Sequence, residues 1–349
     1  MKKWQFWLGV LISAFFLYSA LGGLDLSDFW TKVQEANYWW IIPGVAVYFI
    51  AVWARAWRWH YMLRPLKSIS TRTMFPIVTI GYMGNNIYPA RAGELLRAVV
   101  LKRREAVPIS ASLATIIVER VFDGVVMLSF VFLNLGELAR FTGGAGLIGG
   151  ITIQDIALGS TVVFTLALAI FLAAAMFPAI TKRLISWAFE RLVPARFRER
   201  AYGLTNRFLD GLESLRSPRD ALMMFVTSLV IWLLETVKFW FVMHAFDFQV
   251  SFFTLMLVNG VANLATTIPS APGYVGPFDA AIIAVLTGFG VEDAQAAAYA
   301  VVLHVALWFP ITAVGAYFLW REGISWGGDV KALAEEGEEE GVESSTLVD

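Results

Sequence analysis

The chain has 349 residues, of which 58% are hydrophobic and 16% charged, and it contains no cysteine. Soluble domains usually carry about 25% charged residues, and the apolar residues here form long uninterrupted blocks with a mean hydropathy of +0.64. The composition therefore excludes a soluble fold, a disulfide framework and a thiolate metal site, and the net charge of −1 conceals strong local asymmetry.

Six apolar segments are long enough to cross a membrane, which takes about 20 residues of helix. The first follows Lys2 and Lys3 and is longer than the apolar core of a signal peptide, so we interpret it as an uncleaved span. The six predicted spans are 4–22, 38–59, 109–135, 155–178, 221–245 and 297–320.

Two further apolar stretches, 74–101 and 251–287, are interrupted near their middles by proline, glycine and polar residues. Irregular backbone at membrane depth is stable only where protein or a wet cavity satisfies it. We therefore predict an all-α polytopic membrane protein of about eight hydrophobic segments: six full spans and two re-entrant helical hairpins. The predicted turn residues of the hairpins are Pro89, Gly93, Pro272, Gly273, Gly276 and Pro277.

Basic residues in short loops predict the orientation. The segment 55–72 has five Lys and Arg and no acid, 181–219 has nine against four acids, and 23–37 is acidic. Both termini are thus expected in the cytoplasm of a multi-pass cell-membrane protein. The first hairpin would enter from the cytoplasm and the second from outside. The segment 181–216 is either an interfacial amphipathic helix or an ordinary basic loop, and 324–349 is predicted to be a disordered acidic tail.

The order span, span, hairpin, span occurs twice, which predicts an inverted repeat with halves of about 1–145 and 146–323 in one transmembrane domain, 1–323. The two interruptions share a pattern: Asn86, Pro89, Gly93 and Glu94 in the first, and Asn263, Pro272, Gly276 and Asp279 in the second. Interrupted segments at matching places in two inverted halves are typical of a transporter site near the bilayer midplane. The alternative is two unrelated Pro/Gly kinks.

Charged residues inside the predicted spans indicate a functional site, because each costs roughly 2.5–3.5 kcal/mol at the centre of an inserted helix. With arginine and a free helix N-terminus, such a site suits a phosphate anion. The alternative is that Glu94–Arg97 and Arg120–Asp123 merely hold helices together. Three isolated histidines, His304 among them, are interpreted as structural. The predicted headgroup site consists of Asn86, Arg91, Glu94, Arg97, Glu119, Arg120, Asp123, Glu235, Lys238 and Asp279.

The stretch from Gly81 to Arg97, followed by Glu119-Arg120-Val121-Phe122-Asp123, resembles the signature of the lysylphosphatidylglycerol synthase transmembrane region family, also called flippase-like domain proteins. The segment Pro269–Asp279 resembles its second motif, with Tyr274 in place of a usual glycine and Asp279 in place of a usual glutamate. In some members this region is fused to an aminoacyl-transfer domain and is thought to move the aminoacylated lipid between leaflets. Since the sequence ends in an acidic tail, we expect no lipid aminoacylation by this chain itself.

Three functions follow from the residues and the resemblance. The first is a lipid translocase that moves an anionic phospholipid or a polyprenyl-phosphate-linked lipid between leaflets through a polar midplane cavity. The second is a non-transporting membrane partner of a lipid- or glycan-modifying enzyme. The third is an intramembrane lipid-modifying enzyme, which is disfavoured because the sequence has no His-rich metal motif, no nucleophile elbow and no Asp-rich metal cluster, although its paired acids are suited to acid–base chemistry. We expect no cofactor, no metal, no catalytic residue and no nucleic-acid partner.

Overall fold

The computed structural model describes residues 3–88, 91–134, 176–192 and 218–323, together with isolated positions between 162 and 202. The described ranges form helices and contain no strand. The predicted span 155–178, most of the segment 181–216, the acidic tail and Pro89 lie largely or wholly outside these residues. The longer helices are α1 (Lys3–Leu21), α2 (Leu26–Glu35), α3 (Ile41–Leu63), α4 (Thr71–Ile87), α5 (Ala92–Glu105), α6 (Ile109–Leu133), α7 (Pro178–Leu192), α8 (Pro218–Met243), α9 (Phe252–Ala265), α10 (Pro277–Gly288) and α11 (Asp293–Arg321).

Five helices, α1, α3, α6, α8 and α11, coincide with five of the predicted spans. Among the described residues, three helices are long and apolar enough to cross a membrane: α3 with its preceding 3-10 turn, α8 and α11. A fourth candidate is the pair α1 and α2, which is bent by 89°. The 25 residues of α6 are also long enough, but its middle carries three charged residues. The count of six crossings stays a prediction.

The acidic segment 23–37, which we expected to be a loop, forms the helix α2. Asp25 caps its N-terminus, with the side chain accepting hydrogen bonds from the backbone N–H groups of Ser27 and Asp28. Phe29 and Val33 pack against the core, whereas Leu26 and Trp30 are exposed. This spacing places apolar residues on adjoining helical faces, which explains how a charged segment folds across the end of the bundle.

Each interrupted stretch forms two helices that pack on each other, α4 on α5 and α9 on α10. The first pair crosses backbone to backbone: a Cβ placed on Gly93 would lie 1.9 Å from the carbonyl oxygen of Gly81. Gly93 is the second residue of α5, directly after the turn to which it was assigned, and it also allows α5 to pack closely on α4. The second pair turns at Gly273 and Gly276, whose φ angles are +77° and +98°.

The two helix pairs enter the bundle from opposite ends. Helices α3 and α8 are antiparallel, since Tyr61 bonds Asp220 near one end and Gly44 packs on Val242 near the other. The first end, from which α4 starts and to which α5 returns, we call the basic end. The other, from which α9 starts and to which α10 returns, we call the acidic end. The tips of both pairs therefore point toward the middle of the bundle, while the inverted repeat and the re-entrant hairpins stay predictions.

Candidate functional site

A cavity of about 320 Å³ lies where the two tips meet. Its walls come from the middles of the long helices: Arg55 in α3, Asp123 in α6, Glu235 in α8 and His304 in α11. Each of these residues lies within about two turns of the midpoint of its helix. A bilayer spanned by these helices would therefore hold the cavity deep in its hydrocarbon layer.

One wall carries a carboxylate between two cations. Glu235 bonds Arg55 at 2.7 Å through one oxygen and Lys238 through the other. The Arg55 guanidinium lies 5.1 Å from the ring centroid of Trp232, and the Lys238 ammonium lies 4.3 Å from that of Tyr48. Aromatic faces stabilise desolvated cations. Because the single carboxylate of Glu235 faces two cations, this wall carries one uncompensated positive charge.

A second carboxylate, Asp123, also lies between two cations. Arg58 donates to both of its oxygens, at 2.7 and 3.3 Å, and the indole N–H of Trp232 donates to one of them at 3.0 Å. Arg120 approaches the other oxygen only to 3.9 Å. Arg58 is 1% exposed and also donates to Ser228. The Arg58–Asp123 pair thus has good geometry and full burial, whereas Arg120 is loosely held.

Arg120 reaches across to the first helix pair. Its Nε lies 3.2 Å from Glu94, closer than its contact with Asp123, and its side chain is 32% exposed. Arg91 lies 3.9 Å from the same carboxylate and donates to the Thr266 hydroxyl at 2.8 Å. Arg91 has a left-handed backbone, with φ +55°. Through its hydrogen bond to Thr266, the Arg91 side chain joins the tip of the first helix pair to the tip of the second.

Arg97 and Glu119 form a separate pair behind the cavity. Their side chains are 2.5 Å apart and both are buried, and the Arg97 guanidinium lies 4.6 Å from the Trp59 ring centroid. Neither residue is part of the cavity wall. The closest acid to Arg97 among the described residues is thus Glu119, not Glu94, so the pairing within α5 that we considered as the structural alternative does not form.

The remaining predicted residues connect the tips to α11. The amide of Asn86 donates to the Thr312 hydroxyl at 2.8 Å. Asp279 caps α10 by accepting from the Gly276 N–H at 2.9 Å and lies 2.7 Å from Nδ1 of His304. The other ring nitrogen of His304 is 2.9 Å from the Gly273 carbonyl oxygen.

The Asp279–His304 pair is neutral as a unit. A carbonyl only accepts, so Nε2 of His304 carries a proton for Gly273. A second proton must lie between Nδ1 and the Asp279 carboxylate, because otherwise two acceptors would face each other. Whichever atom carries that proton, the two side chains together have no net charge.

The cavity has an excess of positive charge. Its described wall contains four cations, Arg55, Arg91, Arg120 and Lys238, against two carboxylates, Asp123 and Glu235. The charged residues that are bonded to this wall or lie behind it are Arg58, Arg97, Glu94 and Glu119. Their two positive and two negative charges cancel, so the balance of the wall is unchanged. The excess is therefore two positive charges, which favours an anionic ligand.

Two arginines of this network were missed from the sequence as site residues. Arg55 and Arg58 counted toward the basic segment 55–72 that set the orientation, but both are buried and ion-paired inside the bundle. A signal was present, because both arginines fall inside the predicted span 38–59. They also lie three residues apart on one helical face, the same spacing as that of Arg120 and Asp123. Among the described residues, no group of three His, Asp or Glu side chains could hold a metal ion.

These features define an all-helical membrane protein with a charged cavity between two interrupted helix pairs. The profile of the family described as lysylphosphatidylglycerol synthase TM region matches residues 6–315, and the chain therefore belongs to that family.

Curated relatives extend this result. The chain is 28% identical over 301 residues to the glycosyltransferase AglD of Haloferax volcanii. The alignment covers 79% of this chain and 47% of AglD, so this chain spans about half the length of that relative. It is 24% identical over 304 residues to a UPF0104 membrane protein of Methanothermobacter thermautotrophicus, with 80% and 83% covered. It is 21% identical over 299 residues to UPF0104 membrane protein MJ1595 of Methanocaldococcus jannaschii, with 83% and 86% covered.

Proposed function

We propose that this protein moves a lipid with an anionic, phosphate-containing headgroup between the leaflets of the cell membrane. The observation that carries the proposal is the cavity with excess positive charge where two helix pairs from opposite ends of the bundle meet. Membrane transporters commonly bind substrate where broken helices of two inverted halves meet near the midplane. Arginine side chains bind phosphate through paired parallel hydrogen bonds, and helix N-termini commonly bind phosphate.

The headgroup would replace the acids as the partner of the loosely held arginines. Arg91 and Arg120 share Glu94 at 3.9 and 3.2 Å, so each can exchange this contact for a phosphate oxygen. The acyl chains stay in the bilayer while the headgroup crosses. Movement would be a rocking of one helix pair against the other, which alternately opens the cavity toward the basic and the acidic end. In this topology the chain crosses six times, both pairs are re-entrant, and the termini are cytoplasmic.

A liposome assay tests the translocase function. Purified protein is reconstituted with phosphatidylglycerol or phosphatidic acid labelled on an acyl chain, and a membrane-impermeant reductant bleaches the outer leaflet. We expect protein-containing liposomes to lose the inner-leaflet fraction that protein-free liposomes protect. Arg91→Gln should slow this loss at least about tenfold, because a hydrogen bond to a charged group contributes about 1.5–3 kcal/mol. Lys67→Gln, an exposed charge at the basic end, is the matched control.

The second candidate is a non-transporting partner of a lipid- or glycan-modifying enzyme. It is favoured by the similarity to a protein named a glycosyltransferase. The region aligned with this chain makes up 47% of the length of that protein. In the same assay this candidate predicts unchanged lipid and no movement beyond the protein-free rate, which would refute the translocase. The third candidate, an intramembrane enzyme, predicts a chemically altered lipid, which mass spectrometry of the extracted lipid would detect.

A further inference from the structure

The excess charge of the cavity is divided between two clusters that each lack one carboxylate. In the first cluster, Glu235 neutralises one of its two neighbours, Arg55 and Lys238. The second cluster contains four arginines and three carboxylates: Arg58, Arg91, Arg97, Arg120, Glu94, Glu119 and Asp123. The neutral Asp279–His304 pair does not alter this count. Each cluster therefore presents a single uncompensated positive charge.

Charge compensation decides which anion fits this arrangement. In a cavity deep in the bilayer, screening by water is weak and an unpaired charge is costly. A ligand with one negative charge would leave one cluster uncompensated. A ligand with two negative charges would neutralise both clusters at once, and a zwitterionic headgroup would neutralise neither.

The geometry of the wall agrees with a compact dianion. Arg55, Arg91 and Arg120 present guanidinium groups to one cavity, and guanidinium forks bind two phosphate oxygens in parallel. The cavity volume of about 320 Å³ lies at the lower end of the 300–1,000 Å³ range typical of ligand pockets. It therefore has room for a phosphate or a diphosphate, with the apolar part of the lipid outside.

We propose, on the basis of the translocase function above, that the bound headgroup carries two or more negative charges: a lipid phosphate monoester or a lipid diphosphate, in preference to a singly charged phosphodiester. A phosphate monoester can carry two negative charges near neutral pH, because its second pKa is about 6. A phosphodiester has no second proton to lose. The preference is thus a property of the headgroup and does not depend on the acyl chains.

Two lipids with the same chains separate these classes. Native mass spectrometry of the detergent-solubilised protein measures binding of dioleoyl phosphatidic acid, a monoester, and dioleoyl phosphatidylglycerol, a diester. We expect phosphatidic acid to bind at least about tenfold more tightly, a difference of about 1.4 kcal/mol. Equal affinities would overturn the proposal. Inorganic phosphate and pyrophosphate, added as competitors at the concentration of the lipid, should displace little of it; if they displace it fully, the ligand is a free anion and not a lipid.

Charge variants test whether the preference comes from the cavity. Lys238→Met removes one cation and should lower the ratio of the two affinities to about threefold or less, since the site then carries a single excess charge. The double variant Glu235→Gln/Lys238→Met keeps the net charge, so its ratio should remain near that of the natural chain even if both affinities fall. Lys67→Met, outside the cavity, should leave the ratio unchanged.

The result is separable from that of the liposome assay. Movement of lipid without a preference for phosphatidic acid would refute the headgroup with two or more negative charges and leave the translocase standing. A strong preference for phosphatidic acid without movement would refute the translocase and leave a dianion-binding site. A ratio that does not respond to Lys238→Met, in a variant that still elutes as a folded particle, would also refute the proposal.

Discussion

The crossing of α4 and α5 leads to a strong prediction for a single methyl group. In Gly93→Ala the added Cβ would lie 1.9 Å from the Gly81 carbonyl oxygen, 2.4 Å from the Asn85 backbone nitrogen and 2.7 Å from the Asn85 side-chain oxygen. Two of these neighbours are backbone atoms of a packed helix, so no side-chain rotation can relieve the contact. To restore ordinary contact distances of about 3.5 Å, the two helices must move apart by more than about 1 Å.

The expected cost is about 1–3 kcal/mol in the free energy of unfolding, the usual range for overpacking a close-packed interior. The measurement is unfolding by titration with a denaturing detergent, followed by circular dichroism. Gly23→Ala is the matched control, because nothing lies within 4 Å of the position of its added Cβ. Since separation of the helices would also displace Arg91 at the tip, lipid movement should fall in the same variant. If both alanine variants unfold at the same denaturant concentration, the proposed backbone contact is wrong.

Three further substitutions probe the polar contacts, each by the same unfolding titration. Asp123→Ala should cost about 3–5 kcal/mol, because it leaves Arg58 buried without its closest carboxylate; adding Arg58→Met should recover most of this, and failure to recover would contradict the pairing. His304→Phe should cost about 1–3 kcal/mol through the loss of its contacts with the second tip, and an unchanged midpoint would argue against them. Ser13→Ala removes bonds of 2.6 and 2.8 Å between α1 and that tip and should also cost about 1–3 kcal/mol; a more stable variant would show that α1 is not anchored there.

Helix positions follow from the sequence where the physical signal is local. The apolar blocks are bounded by charges and turns, so α3, α8 and α11 lie within a few residues of the predicted spans. Pro277, which was predicted as a turn residue, is the first residue of α10, a position that proline favours, and Asp279 lies in the first turn of this helix. The start of α5 at Ala92 follows equally from the interruption before it.

Partner choice between distant helices does not follow from the sequence. The pairing of Glu235 with Lys238 is predictable, because the two residues are three apart on one helix. The pairing of Arg58 with Asp123 joins residues 65 apart and depends on how α3 packs on α6. Helix α2 was missed because its charged residues hide a short amphipathic pattern, for which Asp25 as N-cap was the available signal.

The ion pairs divide into a fixed and an exchangeable set, and this division links the fold to the proposed function. Buried pairs seldom stabilise a protein more than apolar side chains of the same volume would, so stability alone gives no reason for this network. Arg58 and Arg97 are buried and hold their acids at 2.7 and 2.5 Å, which suits a scaffold. Arg91 and Arg120 are about a third exposed and hold theirs at 3.9 and 3.2 Å, which suits exchange for a ligand. Removal of one partner from a pair in the first set should therefore mainly lower the free energy of unfolding. Substitutions in the second set should mainly weaken lipid binding, while the fold is kept.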